Sequence, residues 1–282
     1  MKDPAFISRH GLSVNVPVAG CTTIKSGGNA DFYGEVSDPT AFQQLLQAAA
    51  RNGINVTVIG QGSRTVVSDH GVRGLVIKNR ISFVDIGAGV ASCGTGVAIS
   101  EVIQTLAAAG YGGFEQLVSE PGSLGGLLKS RPPRLEPLID RLENVSLVDK
   151  GSVQELKRDA FVTMDGDYTV LACTFRVEEK NREALNHAML TATQAKLRGR
   201  PGRVPHVAVF ADAEASDCVR QLGMAGERVG GAVISAKDPN YISNDQGATS
   251  HDVYELAQRM KNRVKVKLGR TLTEAIYWVG EW

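Results

Sequence analysis

The chain has 282 residues, 43% of them hydrophobic and 22% charged, with a formal net charge of +1. That describes an ordinary globular protein with enough apolar material for more than one core, so two or three domains are expected. Basic and acidic residues are interspersed, which excludes a long-range field for nucleic acid or an acidic membrane surface; an anionic ligand has to be held by a local site. The N-terminus, "MKDPAFISRHGLSV", lacks the apolar core of a signal peptide, and no apolar run is long enough to span a membrane. A cytoplasmic protein, monomeric or weakly self-associating, is the expectation.

In chain order, Pro39 followed by Phe42, Leu45, Leu46 and Ala49 predicts a helix over 39–52, and Gly53 leads into a β-branched strand, "INVTVIG". "TVV" and "GLVIK" read as further strands around turn residues. Two more strands precede a helix at about 99–109 (Ile99, Val102, Ile103, Leu106), stopped by Gly110. Residues 129–137, "KSRPPRLEP", read as an exposed loop, then "VSLVD" and "VLACTFRVE" as strands. A helix is predicted over 181–197, a linker in "RGRPGRVPH", a strand in "VGGAVIS", a helix over about 251–268 and a closing strand in "EAIYWVGEW". This is an α+β architecture, divided for expectation into 1–80, 81–180 and 181–282, with the last strand free to return to the first segment.

Several kinds of chemistry are disfavoured by spacing. Cys21, Cys93, Cys173 and Cys218 stand far apart with no C-x-x-C, which argues against zinc, iron–sulfur clusters and a disulfide framework. The five histidines share no H-x-x-x-H spacing, so no metal site is expected. Ser63 in "GQGSR" lacks the G-x-S-x-G elbow of a serine hydrolase. What stands out is "EPGSLGGLL" at 120–128, where Gly122, Gly125 and Gly126 surround Ser123. Such a cluster either makes a tight turn or bares N–H groups toward an anion such as a phosphate, and it matches neither a Walker A loop nor G-x-G-x-x-G.

Four stretches taken in order, "TTIKSGGNADF" (22–32), "VTVIGQGSRTVVSDHGVRGLVIK" (56–78), "EPGSLGG" (120–126) and "VGGAVISAKDPNYISN" (229–244), resemble the UDP-N-acetylmuramate dehydrogenase family. The likeness runs from about residue 11 to the end. It implies a vanillyl-alcohol-oxidase-type fold, in which two α+β subdomains hold FAD and a third domain covers a UDP-sugar. In that family hydride passes from NADPH by way of the flavin to the enol ether of UDP-GlcNAc-enolpyruvate; a serine protonates the carbanion, and a glutamate and an arginine stabilise the enolate.

On this resemblance the cofactor residues are Gly60, Gln61, Gly62, Ser63 and Arg64 after a strand, Gly94 and Gly96 before a helix, and Pro121, Gly122, Ser123, Gly125 and Gly126. Turn capping is the competing role for the serines. Lys237, Asn240, Tyr241 and Asn244 are the candidate contacts to a UDP-sugar-like or other anionic ligand, with packing and turn formation as the alternative. The departures fall on the chemistry. Ala208 in "PHVAVF" stands where the family has its serine, and Ala275 where it has its glutamate; no arginine occupies 160–168. His206, two places from Ala208, and Glu274, one place from Ala275, are the candidate replacements, although a one-residue slip turns Glu274 to the other strand face unless a bulge restores the register. After the opening glycines "KSRPPR" replaces a flavin-wrapping segment, so Lys129, Arg131 and Arg134 are candidates to neutralise a phosphate. An FAD-dependent oxidoreductase with altered chemistry or substrate is the leading expectation, beside a non-catalytic nucleotide-binding relative and a functional muramate dehydrogenase.

Overall fold

The computed structural model describes residues 4–131, 135–149 and 151–282. They form two compact units, each assembled from three stretches of chain: residues up to Ser13 with Phe32–Gln61 and Gly74–Lys196, and Val14–Asp31 with Gly62–Arg73 and Leu197–Trp282. The architecture is α+β throughout.

In the first unit, helix Pro39–Arg51 begins as its sequence dictates. Asp38 Oδ1 accepts the Ala41 N–H at 2.7 Å, and Pro39 occupies the first turn, where no N–H is needed. Its buried face, Phe42, Leu45, Leu46 and Ala49, packs with Leu75, Ile77 and Ile81. Gly53, at φ +61°, turns the chain into strand Val56–Ile59, which runs parallel to Val72–Asn79 in the register Val56↔Leu75 to Ile59↔Lys78. A five-stranded antiparallel sheet follows, ordered Ser152–Lys157, Leu142–Asp149, Tyr168–Arg176, Val90–Gly94, Val84–Gly87. Helix Ile99–Ala108 buries Ile99, Val102, Ile103 and Leu106 in a core with Phe114, Phe161 and Phe175.

The glycine-rich stretch at 120–128 runs into a short helix, Leu124–Ser130, so the first two residues of the expected loop 129–137 are helical, and a further turn forms at Glu136–Ile139. Arg134 lies outside the described residues. A helical turn at Arg158–Val162, unmarked by any periodicity, interrupts the strands. Helix Arg182–Gly199 carries on into the segment read as a linker.

In the second unit the sheet order is His206–Ala208, Tyr241–Asn244, Ala232–Ile234, Arg228–Val229, all antiparallel. Period-two alternation gives it two different faces. Val207, Ile242, Ile234 and Ala232 face a core completed by Val219 of helix Ala215–Gln221 and by Val253, Leu256, Met260 and Val264 of helix Ser250–Leu268. The opposite face carries His206, Ala208, Tyr241 and Ser243. The closing strand shortens to Tyr277–Val279 and pairs in parallel with Thr65–Val67.

Candidate functional site

In the first unit three glycine-bearing loops converge. Gly60 ends the strand Val56–Ile59 so close to the Ser123 hydroxyl that a methyl group at 60 would lie 1.9 Å from Ser123 Oγ. Gly125 comes close to the loop between Gly94 and Gly96, where a side chain would meet Thr95 Cβ at 2.9 Å. The Gln61 side-chain amide reaches the Gly96 carbonyl at 3.4 Å. Gly122 has φ +124°, a conformation that favours glycine, and its carbonyl accepts the Ile99 N–H after half-buried Pro121 has aimed the turn.

The N–H groups of these loops divide into two kinds. Those after Ser123 are spent inside the protein: Leu124 donates to Val97 O and Gly125 to Thr95 O, both at 2.9 Å, and Gly126 donates to Ser123 Oγ at 3.3 Å. Gly94 and Gly96 likewise donate to Phe83 O and Ile81 O. Those of the loop 60–63 meet no protein acceptor among the described residues. The N–H groups of residues 124–126 therefore serve the turn, and "GQGS" offers free donors. No carboxylate sits within residues 60–64, and Gly62 takes φ +67°. Successive unspent N–H groups suit a pyrophosphate-bearing cofactor.

The cations after the loop are engaged elsewhere. Arg131, at φ +40°, donates to Val162 O, Phe161 O, Met164 O and Tyr168 Oη and stacks 4.6 Å from the Phe161 ring. It thereby closes the end of the turn Arg158–Val162. Lys129 Nζ donates to Gly166 O at 2.5 Å and lies 3.7 Å from the Tyr168 ring centre; burial lowers its pKa. Residues 160–168 contain no arginine, and nearby Arg158 is held by Ile139 O, Asp140 and Asp159.

In the second unit, Gly62 packs so tightly that a side chain there would meet Cys21 O at 2.1 Å; its carbonyl accepts the Thr23 N–H, and the Arg64 carbonyl accepts the Tyr277 N–H. The segments that carry the two alanines found separately by sequence pattern run side by side. Ala275 N–H donates to Val209 O at 2.7 Å, and Phe210 bridges Glu274. No bulge brings Glu274 back into the register of Ala275. Its carboxylate instead takes Lys261 Nζ and Trp278 Nε1, both at 2.5 Å, with Gln258 at 3.3 Å. Burial acts to raise its pKa, but these three donors and the lysine charge outweigh burial and bring it below the ordinary value. Glu274 is an ion-pair anchor for the last strand.

Both asparagines are spent on the backbone. Asn240 donates to Phe210 O and accepts Phe210 N–H, while Asn244 donates to Ile24 O and accepts Ala248 N–H. Lys237 Nζ donates to Leu197 O. Tyr241 and His206 differ: their rings meet edge to face at 5.4 Å, on the face that bears Ala208, and Tyr241 is the cross-strand partner of Ala208. Sequence reasoning had no signal for the Thr23 hydroxyl, which donates to His206 O at 2.9 Å from far along the chain, nor for the Glu274 network. No helix among the described residues is long and apolar enough to cross a membrane, and no group of three metal-ligating side chains forms among them.

Residues 30–131 match the FAD binding domain, and residues 171–279 match the UDP-N-acetylenolpyruvoylglucosamine reductase C-terminal domain. Among curated proteins, the UDP-N-acetylenolpyruvoylglucosamine reductase of Geobacter metallireducens is 30% identical over 94% of this chain and 93% of its own length. The enzyme of that name from Pelobacter propionicus is 28% identical over 96% of each chain. The solved UDP-N-acetylenolpyruvylglucosamine reductase of Thermus caldophilus shares the fold, with a TM-score of 0.79 at 24% identity over 95% of this chain and 98% of that one. With its FAD-binding domain, its reductase-type C-terminal domain and a likeness that runs nearly end to end, the chain belongs to the UDP-N-acetylenolpyruvoylglucosamine reductase family of FAD-binding oxidoreductases.

Proposed function

We propose that this chain is an NADPH-fed, FAD-dependent oxidoreductase that reduces an activated carbon–carbon double bond on a UDP-sugar-like, anionic substrate, with a proton delivery different from that of its relatives. The observation that carries the reading is that Ala275 donates its N–H to Val209 O, the residue next to Ala208, so the two segments that bear Ala208 and Ala275 run side by side. The resemblance assigns a protonating serine and a stabilising glutamate to these two positions. A methyl group offers neither a proton nor a charge, and such groups ordinarily contribute 10²-fold or more each.

FAD, when bound, supplies hydride acceptance and donation. The loop 60–63 has N–H groups unspent for its pyrophosphate, and the tight approach of Gly60 to Ser123 holds the start of that loop. Tyr241 keeps its phenol on the face of Ala208, where it is available to a ligand.

The visible spectrum of the protein as isolated, followed by anaerobic titration with NADPH, tests the reading. Bound flavin bleached by NADPH and reoxidised by UDP-N-acetylglucosamine enolpyruvate supports it, whereas a colourless protein that ignores added FAD overturns it. A second reading, a non-catalytic binding relative, is favoured by the same two methyl groups. Tight UDP-sugar binding with no flavin reduction distinguishes it.

A further inference from the structure

We infer that His206, backed by Tyr241, donates the proton in the reduction proposed above; the inference rests on that reading. The imidazole stands on the face of strand His206–Ala208 that Ala208 leaves without a hydroxyl, two residues away and therefore pointing the same way. Its orientation is fixed. Nδ1 lies 2.8 Å from the Val204 carbonyl, which can only accept, so Nδ1 carries a hydrogen and Nε2 is the nitrogen left to release or take up a proton. The Thr23 hydroxyl anchors the backbone at His206 O, and Tyr241 holds the ring edge to face.

Several other polar groups near this sheet are committed. Arg228 is paired in bidentate fashion with Asp245 at 2.6 and 2.8 Å, and Glu274 is held by Lys261, Trp278 and Gln258. Asn240 and Asn244 brace the backbone.

The step balances. Hydride, supplied by NADPH by way of the reduced cofactor, bonds to one carbon of the double bond. The π pair then takes the proton of the imidazolium Nε2–H at the other carbon. That N–H bond breaks, its electron pair stays on nitrogen, and a neutral imidazole remains with Nδ1–H still on Val204 O. Water returns the proton for the next turnover.

The test uses the full FAD-loaded chain, NADPH as reductant and UDP-N-acetylglucosamine enolpyruvate as acceptor in stopped flow. In His206→Asn the amide nitrogen can replace the Nδ1–H bond to Val204, but nothing replaces Nε2. Flavin reduction by NADPH is expected to stay within twofold of wild type, while acceptor reduction falls at least 100-fold, the usual range for a lost general acid. Adding Ala208→Ser to that variant is expected to recover 10-fold or more. A separate readout on the cofactor-free chain is the ¹⁵N spectrum of the imidazole, which should show Nδ1 protonated in the neutral ring. Wild-type acceptor reduction in His206→Asn, or an Nε2–H neutral tautomer, overturns the role of His206 alone. A wild-type chain that takes no electrons from NADPH, or passes none to the acceptor, overturns the proposed function and this role with it.

Discussion

Gly60 and Glu274 show how single positions carry different kinds of constraint. A side chain at 60 has nowhere to go, because the atom it meets is the Ser123 hydroxyl, 3% exposed and itself capping Gly126. Gly60→Ala is expected to shift the 122–126 turn, destabilise the fold by about 1–3 kcal/mol, as overpacking does, and weaken FAD binding. Thermal unfolding and a flavin fluorescence titration measure the two effects; adding Ser123→Gly should return part of the stability. Glu274 acts through charge. Its pKa is lowered in the folded protein, so its contribution is fully present above the unfolded carboxylate value of about 4.3 and is lost as pH falls through the lower folded value. Glu274→Gln should reduce stability at neutral pH and flatten that part of the acid limb. Equal slopes in wild type and variant below pH 4.5 would refute the assignment.

At the scale of elements, stability resides in caps and faces that local sequence announces unevenly. Helix Ser250–Leu268 starts with a reciprocal box between Thr249 and Asp252 and ends at Gly269 in the left-handed conformation, and both signals are legible in the chain. Asp69 is not. Its two carboxylate oxygens accept the Ser250 and His251 N–H groups, each at 2.9 Å, although it lies far back in the sequence. Asp69→Ala is expected to cost about 1–2 kcal/mol, as the loss of a charged N-terminal cap does, and hydrogen exchange should quicken first at the start of this helix. The same contrast governs the site. The absence of a hydroxyl at 208 and a carboxylate at 275 is readable from local pattern, as are the helices at 39–51 and 99–108. Which glycine loop keeps free N–H groups is unreadable, because the acceptors that consume those of 124–126, Val97, Thr95 and Ser123, are defined only by the folded turn. Arg131 and Lys129 look like phosphate ligands in a chain of symbols; their partners at 161–168 are supplied by tertiary packing.

The whole molecule places its two units differently along the chain, and this makes them unequal when the chain is cut. All three stretches of the first unit lie before Leu197, whereas the second needs Val14–Asp31 and Gly62–Arg73 in addition to everything after Lys196. Those early stretches are not accessory. They bring Ile24 and Val66 into the second core, supply Thr65–Val67 as the parallel partner of Tyr277–Val279, and provide the Asp69 cap. A fragment of residues 197–282 therefore loses a strand partner, two fully buried aliphatic side chains and a helix cap.

 Water can satisfy freed N–H and C=O groups, but it penalises each exposed methyl and methylene. The fragment 1–196 keeps every stretch of the first unit and its two cores around Phe42 and Phe175. Expressed separately, 1–196 is expected to give dispersed amide resonances and a cooperative thermal transition, and 197–282 to give the narrow dispersion of an unfolded chain. Because the loop 60–63 leaves the first unit at Gln61, FAD should bind the 1–196 fragment at least 10-fold more weakly than the full chain. A folded 197–282 fragment would mean that the early stretches contribute little to the second core, and the division of the chain into interleaved units would lose its energetic basis.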